Sequence, residues 1–173
     1  MFDKIAKILE CSKVVIDDRK AAKVATQHLI DTGCKRIAHF RGPLLAQNSI
    51  DRFLGYKEAL EENNFTYDSS LVYICECGDS SFEEGKFNAK KLIQDHDDID
   101  GVFINTDLVA IGALTVFTEM GIKVPDDISI VGFSNWFMAS VISPSLTTIN
   151  QPGFKMGKAA FKQLYKELNQ RKK

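Results

Sequence analysis

Several signatures are missing from this chain. No apolar run approaches the roughly 20 residues that a membrane-spanning helix requires. The opening Met1-Phe2-Asp3-Lys4 has neither the basic nor the apolar part of a secretion signal, so the chain reads as soluble and cytoplasmic. The four cysteines, Cys11, Cys34, Cys75 and Cys77, form no CxxC pair, and Cys75-x-Cys77 lacks a second pair at zinc-finger spacing. His28, His39 and His96 make no HxxxH or HExxH. There is no GxGxxG, no GxxxxGK[ST] and no GxSxG elbow. Neither a metal nor a cofactor is expected.

What is present describes a globular domain. Its 173 residues are 45% hydrophobic and 26% charged, which excludes disordered and fibrous classes. The net charge of -1 hides an asymmetry. From Lys155 onward seven Lys or Arg stand against Glu167 alone, leaving an acidic body in front of a basic tail. A nucleic-acid surface needs a stronger basic excess with a motif beside it, so the tail reads as a solvated helix face and no DNA contact is expected of this chain itself.

Strand and helix signals alternate along the sequence. Strands are expected at Val14–Ile16, Arg36–Arg41, Leu71–Ile74, Gly101–Ile104, Ile128–Phe133 and Leu146–Ile149. Helices are expected at Arg19–Asp31, around Ile50–Leu60, and at Ser81–Gln94, Asp107–Met120 and Phe154–Leu168. Such alternation implies an α/β fold in three layers, a mostly parallel sheet with helices on both faces. Ligands of such sheets sit beyond the carboxyl ends of the strands. Candidate site residues are therefore sought in 41–52, 76–82, 105–107 and 134–137.

Asp17 and Asp18, after the first expected strand, read as caps of the helix that follows. Thr106 is placed to cap the next helix or to reach the cleft, and Asp107 to brace that helix or accept hydroxyl hydrogen bonds. Both fit a neutral, hydroxylated ligand better than a phosphate. Arg41 and Arg52 flank the Gly42-Pro43 loop, and either could aim a guanidinium at the cleft. The segment Leu108–Met120 is apolar on nearly every side, and such a helix must bury more than one face. Trp136 could stack on a sugar, seal the core or fill a subunit interface.

The order of motifs resembles the lac-repressor-like (LacI/GalR) family of bacterial transcription regulators. The resemblance is carried by Lys35-Arg36-Ile37-Ala38-His39-Phe40-Arg41-Gly42-Pro43, Arg52-x-x-Gly55-Tyr56 and Asn105-Thr106-Asp107-x-x-Ala110-x-Gly112-Ala113-Leu114. Pro125–Phe133, Ser143–Ile149, Gln151-Pro152 and Met156-Gly157 continue it, from about Cys11 to Leu168. It implies one lobe of a periplasmic-binding-protein-like effector domain: 1–13 leading in from the other lobe, 14–150 the lobe itself, 151–173 a return crossover and helix. The DNA-binding headpiece and most of the first lobe are absent from this stretch, and the isolated lobe is expected to bind its effector weakly.

The resemblance also implies roles. Arg52 matches an arginine that bonds effector oxygens, and Asp107 matches an acid after Thr106, where relatives often carry Asn. Ser80 stands where relatives often stack an aromatic ring. Ser134 replaces a ligand-contacting acid, with Asn135 and Trp136 beside it, and Gln151 lies near the crossover. Family members pair through this lobe, which implies a homodimer burying Ile111, Leu114, Thr115 and Thr118, with 136–142 (Val141 and Ile142 included) alongside. The implied function is sensing a small effector, a sugar or sugar derivative, for a DNA-binding regulator. The alternatives are a transport sugar-binding protein or, less favoured, a doubly wound enzyme using Asp17, Asp18 or Asp107.

Overall fold

The structure, a computed structural model, describes residues 1, 3, 10–76 and 81–170. Its elements in chain order are α1 (Asp18–Asp31), β1 (Ile37–Arg41), α2 (Gln47–Glu62), β2 (Val72–Ile74), α3 (Ser81–Asp95), β3 (Gly101–Ile104), α4 (Asp107–Glu119), β4 (Ser129–Ser134), β5 (Thr147–Asn150) and α5 (Gly153–Gln170). Short 3₁₀ turns precede β2 and follow β4. The sheet runs β2-β1-β3-β4-β5, and every pairing is parallel. The α/β architecture is the one expected, because β-branched and aromatic runs separated by 3.6-periodic segments permit little else.

Side chains of adjacent strand residues enter opposite layers, as the pleat requires. Ile37, Phe103, Val131 and Phe133 pack under α1 and α2 with Leu29, Tyr56 and Leu60. Ala38, Phe40, Val102, Ile104 and Ile130 pack under α3 and α4 with Leu92, Val109, Ala113 and Phe117. Central strands apolar on both faces are what a sheet covered on both sides demands.

One expectation is corrected. Val14–Ile16 is not a strand of this sheet: only Val14 makes a bridge, exchanging backbone hydrogen bonds of 3.0 and 3.1 Å with Met1 and Asp3. Three β-branched residues promote extension but do not supply a sheet edge to pair with. The apolar excess of α4, which suggested a partner chain, is met in part within the chain. Much of that second face is taken by α3 within the chain. A Cβ on Gly85 would fall 2.1 Å from the Val109 carbonyl oxygen, and one on Gly112 2.1 Å from that of Phe82. Two glycines bring the helix backbones together, and Leu114 is left only 5% exposed.

Candidate functional site

A parallel sheet presents all its carboxyl ends at one edge, so the loops after β1, β3 and β4 and the start of α1 meet there. Arg52, on the second turn of α2, reaches across that edge. Its Nε and Nη2 donate to Asp18 Oδ1, each at 2.8 Å, and its Nη1 donates to the Asn105 carbonyl at 2.6 Å. The Phe133 ring lies under the guanidinium, 3.5 Å from centroid to the central carbon. Arg52 and Asp18 are each only 5% exposed. Burial raises the Asp18 carboxyl above its ordinary value, against the pull of Arg52, and lowers Arg52 against the opposing pull of Asp18.

Asp17 and Asp18, expected to share the work of capping, divide it. Asp17 is the N-cap of α1, accepting from the Lys20 amide at 3.0 Å, while Asp18 turns inward to Arg52.

Asp107 opens α4 with its carboxylate buried against β4 and β5. It accepts from the Trp136 amide at 2.6 Å and the Thr148 hydroxyl at 2.6 Å, with the Ser134 hydroxyl at 3.4 Å. A Cβ on Gly132 would meet its Oδ1 at 2.4 Å, so only glycine at that strand position lets the carboxylate in. The turn it holds is strained: Ser134 has φ of 116° and Asn135 of 54°. Thr148 completes the lock by accepting from the Asn135 amide at 3.2 Å.

The remaining predicted residues surround these two centres. Thr106 caps α4, accepting from the Val109 amide at 3.5 Å. Asn135 donates to Asn150 Oδ1 at 3.1 Å, and Gln151 donates to Asp3. Trp136 is 42% exposed at the rim. Ser80 lies outside the described residues. Arg41, at the end of β1, turns its guanidinium over Phe53, 4.5 Å from the centroid, and no carboxylate among the described residues pairs with it.

Sequence reasoning did not find the roles of two participants. Asp18 and Thr148 stand 34 and 41 positions from the groups they meet, and no spacing rule links them. Asn105 offers its carbonyl to Arg52, yet its own buried Oδ1 has no donor among the described residues. Its polar side chain at the end of an apolar strand is what placed it in a candidate segment. A concavity of about 350 Å³ lies at the opposite, amino-terminal edge of the sheet, between Leu29, Val124, Pro144 and Leu146. None of the predicted effector-contacting residues lines it.

Comparison with known proteins places this geometry. Residues 26–173 match the family described as periplasmic binding protein-like domain. The chain belongs to that family. Within it the lac-repressor-like resemblance holds: the chain is 34% identical to the ribose operon repressor of Halalkalibacterium halodurans over 158 residues, 91% of this chain and 46% of that protein. It is 36% identical to the transcriptional regulator CelR of Thermobifida fusca, covering 86% of this chain and 43% of that one. Among solved structures, the transcription regulator CcpA of Lactococcus lactis superposes with a TM-score of 0.89 at 34% identity, over 98% of this chain and 60% of that one. The complex of CelR with cellobiose gives 0.84 at 34% identity, over 91% and 48%. The chain spans about half the length of the curated relatives it matches.

Proposed function

We propose that this chain is the effector-sensing lobe of a cytoplasmic, homodimeric transcription regulator, and that its effector is a sugar or sugar derivative. The observation that carries the reading is Arg52, fixed by Asp18 and the Asn105 carbonyl over the carboxyl ends of β3 and β4, where an α/β sheet receives ligands. Residues 14–150 form the lobe and 151–173 return to a second one. DNA is contacted through a headpiece elsewhere in the regulator. Effector held between two lobes favours a closed arrangement, and it shifts that equilibrium only by its unequal affinity for the two states.

Support also comes from the relatives, which are named as transcriptional regulators, one of them solved with cellobiose. The enzyme alternative depends on carboxylates that are already engaged: Asp17 caps, Asp18 pairs with Arg52, and Asp107 clamps a turn. No group of three or more metal-ligating side chains occurs among the described residues, and no described helix is long and apolar enough to cross a membrane.

The test is calorimetric titration of ribose and cellobiose into the full regulator and into this chain alone. Saturable binding of a neutral sugar by the regulator, weakened about a hundredfold or more in the isolated lobe, is the expected result. A regulator indifferent to a broad panel of sugars and sugar derivatives overturns the reading.

A further inference from the structure

We infer that Arg41 and Lys57 form an anion site on the flank of the sheet, outside the effector cleft, and that its ligand is a small phosphate monoester. The inference stands on other residues than the proposed function and does not depend on it.

Arg41 is a buried cation that the chain leaves unanswered. The pleat sends its side chain into the layer of Ile37 and His39, under α2, and not out over the strand ends. There it lies 4.5 Å over the Phe53 ring, with only 9% of the residue exposed. Burial pushes the guanidinium below its ordinary pKa, and only the Tyr67 phenol opposes that push. Nε is enclosed without an acceptor among the described residues, and no ion pair there reaches the Nη groups. A buried charge without a counter-ion is strongly destabilising, so its persistence points to a partner from outside the chain.

Lys57 supplies a second charge. It stands one turn after Phe53 on α2, so both project from the same helix face. Its ammonium lies 4.7 Å over the Tyr67 ring, and Tyr67 meets Phe53 edge-on at 6.1 Å. Two touching rings thus carry one cation each, where α2 meets the segment entering β2. The carboxylates at hand are engaged elsewhere: Glu58 with Arg19, Glu62 with Lys23, and Asp68 with Arg36. Glu61, one turn past Lys57, makes no ion pair among the described residues. β2 is an edge strand, and Ile74, in register with Arg41, is 40% exposed, so this flank is open to solvent.

The charges select the ligand. A carboxylate would answer Arg41 and leave Lys57, whereas a phosphate monoester carries nearly two charges and three acceptor oxygens. The planar fork of arginine matches two of those oxygens, and lysine serves the third as a point charge. The rings beneath both cations exclude water from one side, which strengthens the attraction. Enclosure of Nε admits a small ester more readily than a phosphorylated chain.

The probe is inorganic phosphate, titrated into this chain at about pH 8, where it is a dianion, with chloride holding the ionic strength. The readouts are the Arg41 side-chain Nε–H resonance and the thermal midpoint. The wild type should show a saturable shift at Arg41 in the millimolar range and a rising midpoint, with acetate clearly weaker. Lys57→Met should weaken phosphate by about tenfold, the worth of one charge-assisted hydrogen bond. Arg41→Met keeps the contact with Phe53 and removes the charge. It should abolish the midpoint response, and without phosphate it should unfold at a higher temperature than the wild type. Silence at Arg41, a shift confined to Arg52, or an undiminished response in Lys57→Met overturns the inference. Acetate equal to phosphate overturns the assignment to a dianion. If Arg41→Met does not fold, the wild-type and Lys57→Met titrations decide. Glycerol phosphate and a phosphoserine peptide then identify the source: the ester should bind at least as well, and a tighter peptide overturns the small-molecule assignment.

Discussion

Arg52 and Asp18 join α2 to the first turn of α1 through a buried ion pair at 2.8 Å. Arg52 is therefore a structural residue as well as a candidate effector contact. Truncating one partner strands the other charge in the interior, at a cost of about 3–5 kcal/mol. Loss of effector response in Arg52→Ala alone would confound binding with folding. A double-mutant cycle separates them: Asp18→Asn and Arg52→Gln should each lower stability in urea, and the double variant should lose clearly less than their sum. Additive losses would show that the pair is not coupled.

His39 predicts acid sensitivity. Its ring stacks 4.7 Å from Phe103 and 5.0 Å from Tyr56, its Nδ1 donates to the Phe103 carbonyl at 2.9 Å, and its Nε2 has no partner among the described residues. Burial pushes its pKa down to about 3 from 6.5. A depressed pKa means that the unfolded chain binds the proton first, so stability is full above 6.5 and falls as pH drops toward 3. By pH 5 the loss from this group is about 2 kcal/mol. Asp18 works oppositely, since burial raises its pKa above 3.8 and so favours the folded state while it stays protonated. Urea midpoints at pH 7.5 and 5 check the point: His39→Phe should lose markedly less than wild type over that interval.

The turn after β4 stores strain that Asp107 holds in place. Ser134 at φ 116° costs about 1–3 kcal/mol, which glycine would relieve at a backbone-entropy cost of about 0.5–1. Ser134→Gly should therefore raise stability by about 1 kcal/mol in thermal unfolding. Asp107→Ala should do the reverse, losing about 2–4 kcal/mol as the Trp136 amide and Thr148 hydroxyl lose their acceptor. Trp136 is the single tryptophan, so its emission reports the turn directly. A red shift in Asp107→Ala is expected, and an unchanged spectrum would remove the clamp from the account.

Periodicity made the layers legible: every predicted helix is present, and five of the six predicted strands lie in the sheet. The exception, Val14–Ile16, shows the limit, for pairing depends on a neighbour that local sequence does not name. The positions of Arg52 and Thr106 followed from strand ends and helix starts. Their partners did not. Asp18 looks like half of a capping pair until the chain folds, and Thr148 looks like an ordinary strand residue until β5 sets it beside Asp107. Hydrogen bonds across 34 and 41 residues are products of topology, and no local pattern encodes them.

Pairing of two chains is the last prediction, and burial sharpens which residues carry it. Thr115 and Thr118 return their hydroxyls to the Ile111 and Leu114 carbonyls at 2.9 and 2.8 Å, which leaves their methyl groups to face outward. Ile111 is half-buried beside them. After β4, Phe137 and Val141 are 65% and 66% exposed, with Ile142 partly covered. The α4 part of this apolar surface lies along the helix and not at the strand ends, so a second lobe closing over those ends would leave it bare. A stable dimer buries roughly 1,200–2,000 Å² in total, and apolar centres of this kind favour a twofold partner. Sedimentation at micromolar concentration should find a dimer that Ile111→Asp or Val141→Asp converts to monomer. Leu114→Ala serves as the contrast: buried in its own chain, it should cost about 2–5 kcal/mol of stability while leaving association intact in the folded fraction. A wild-type chain that sediments as a monomer ends the claim that this face pairs.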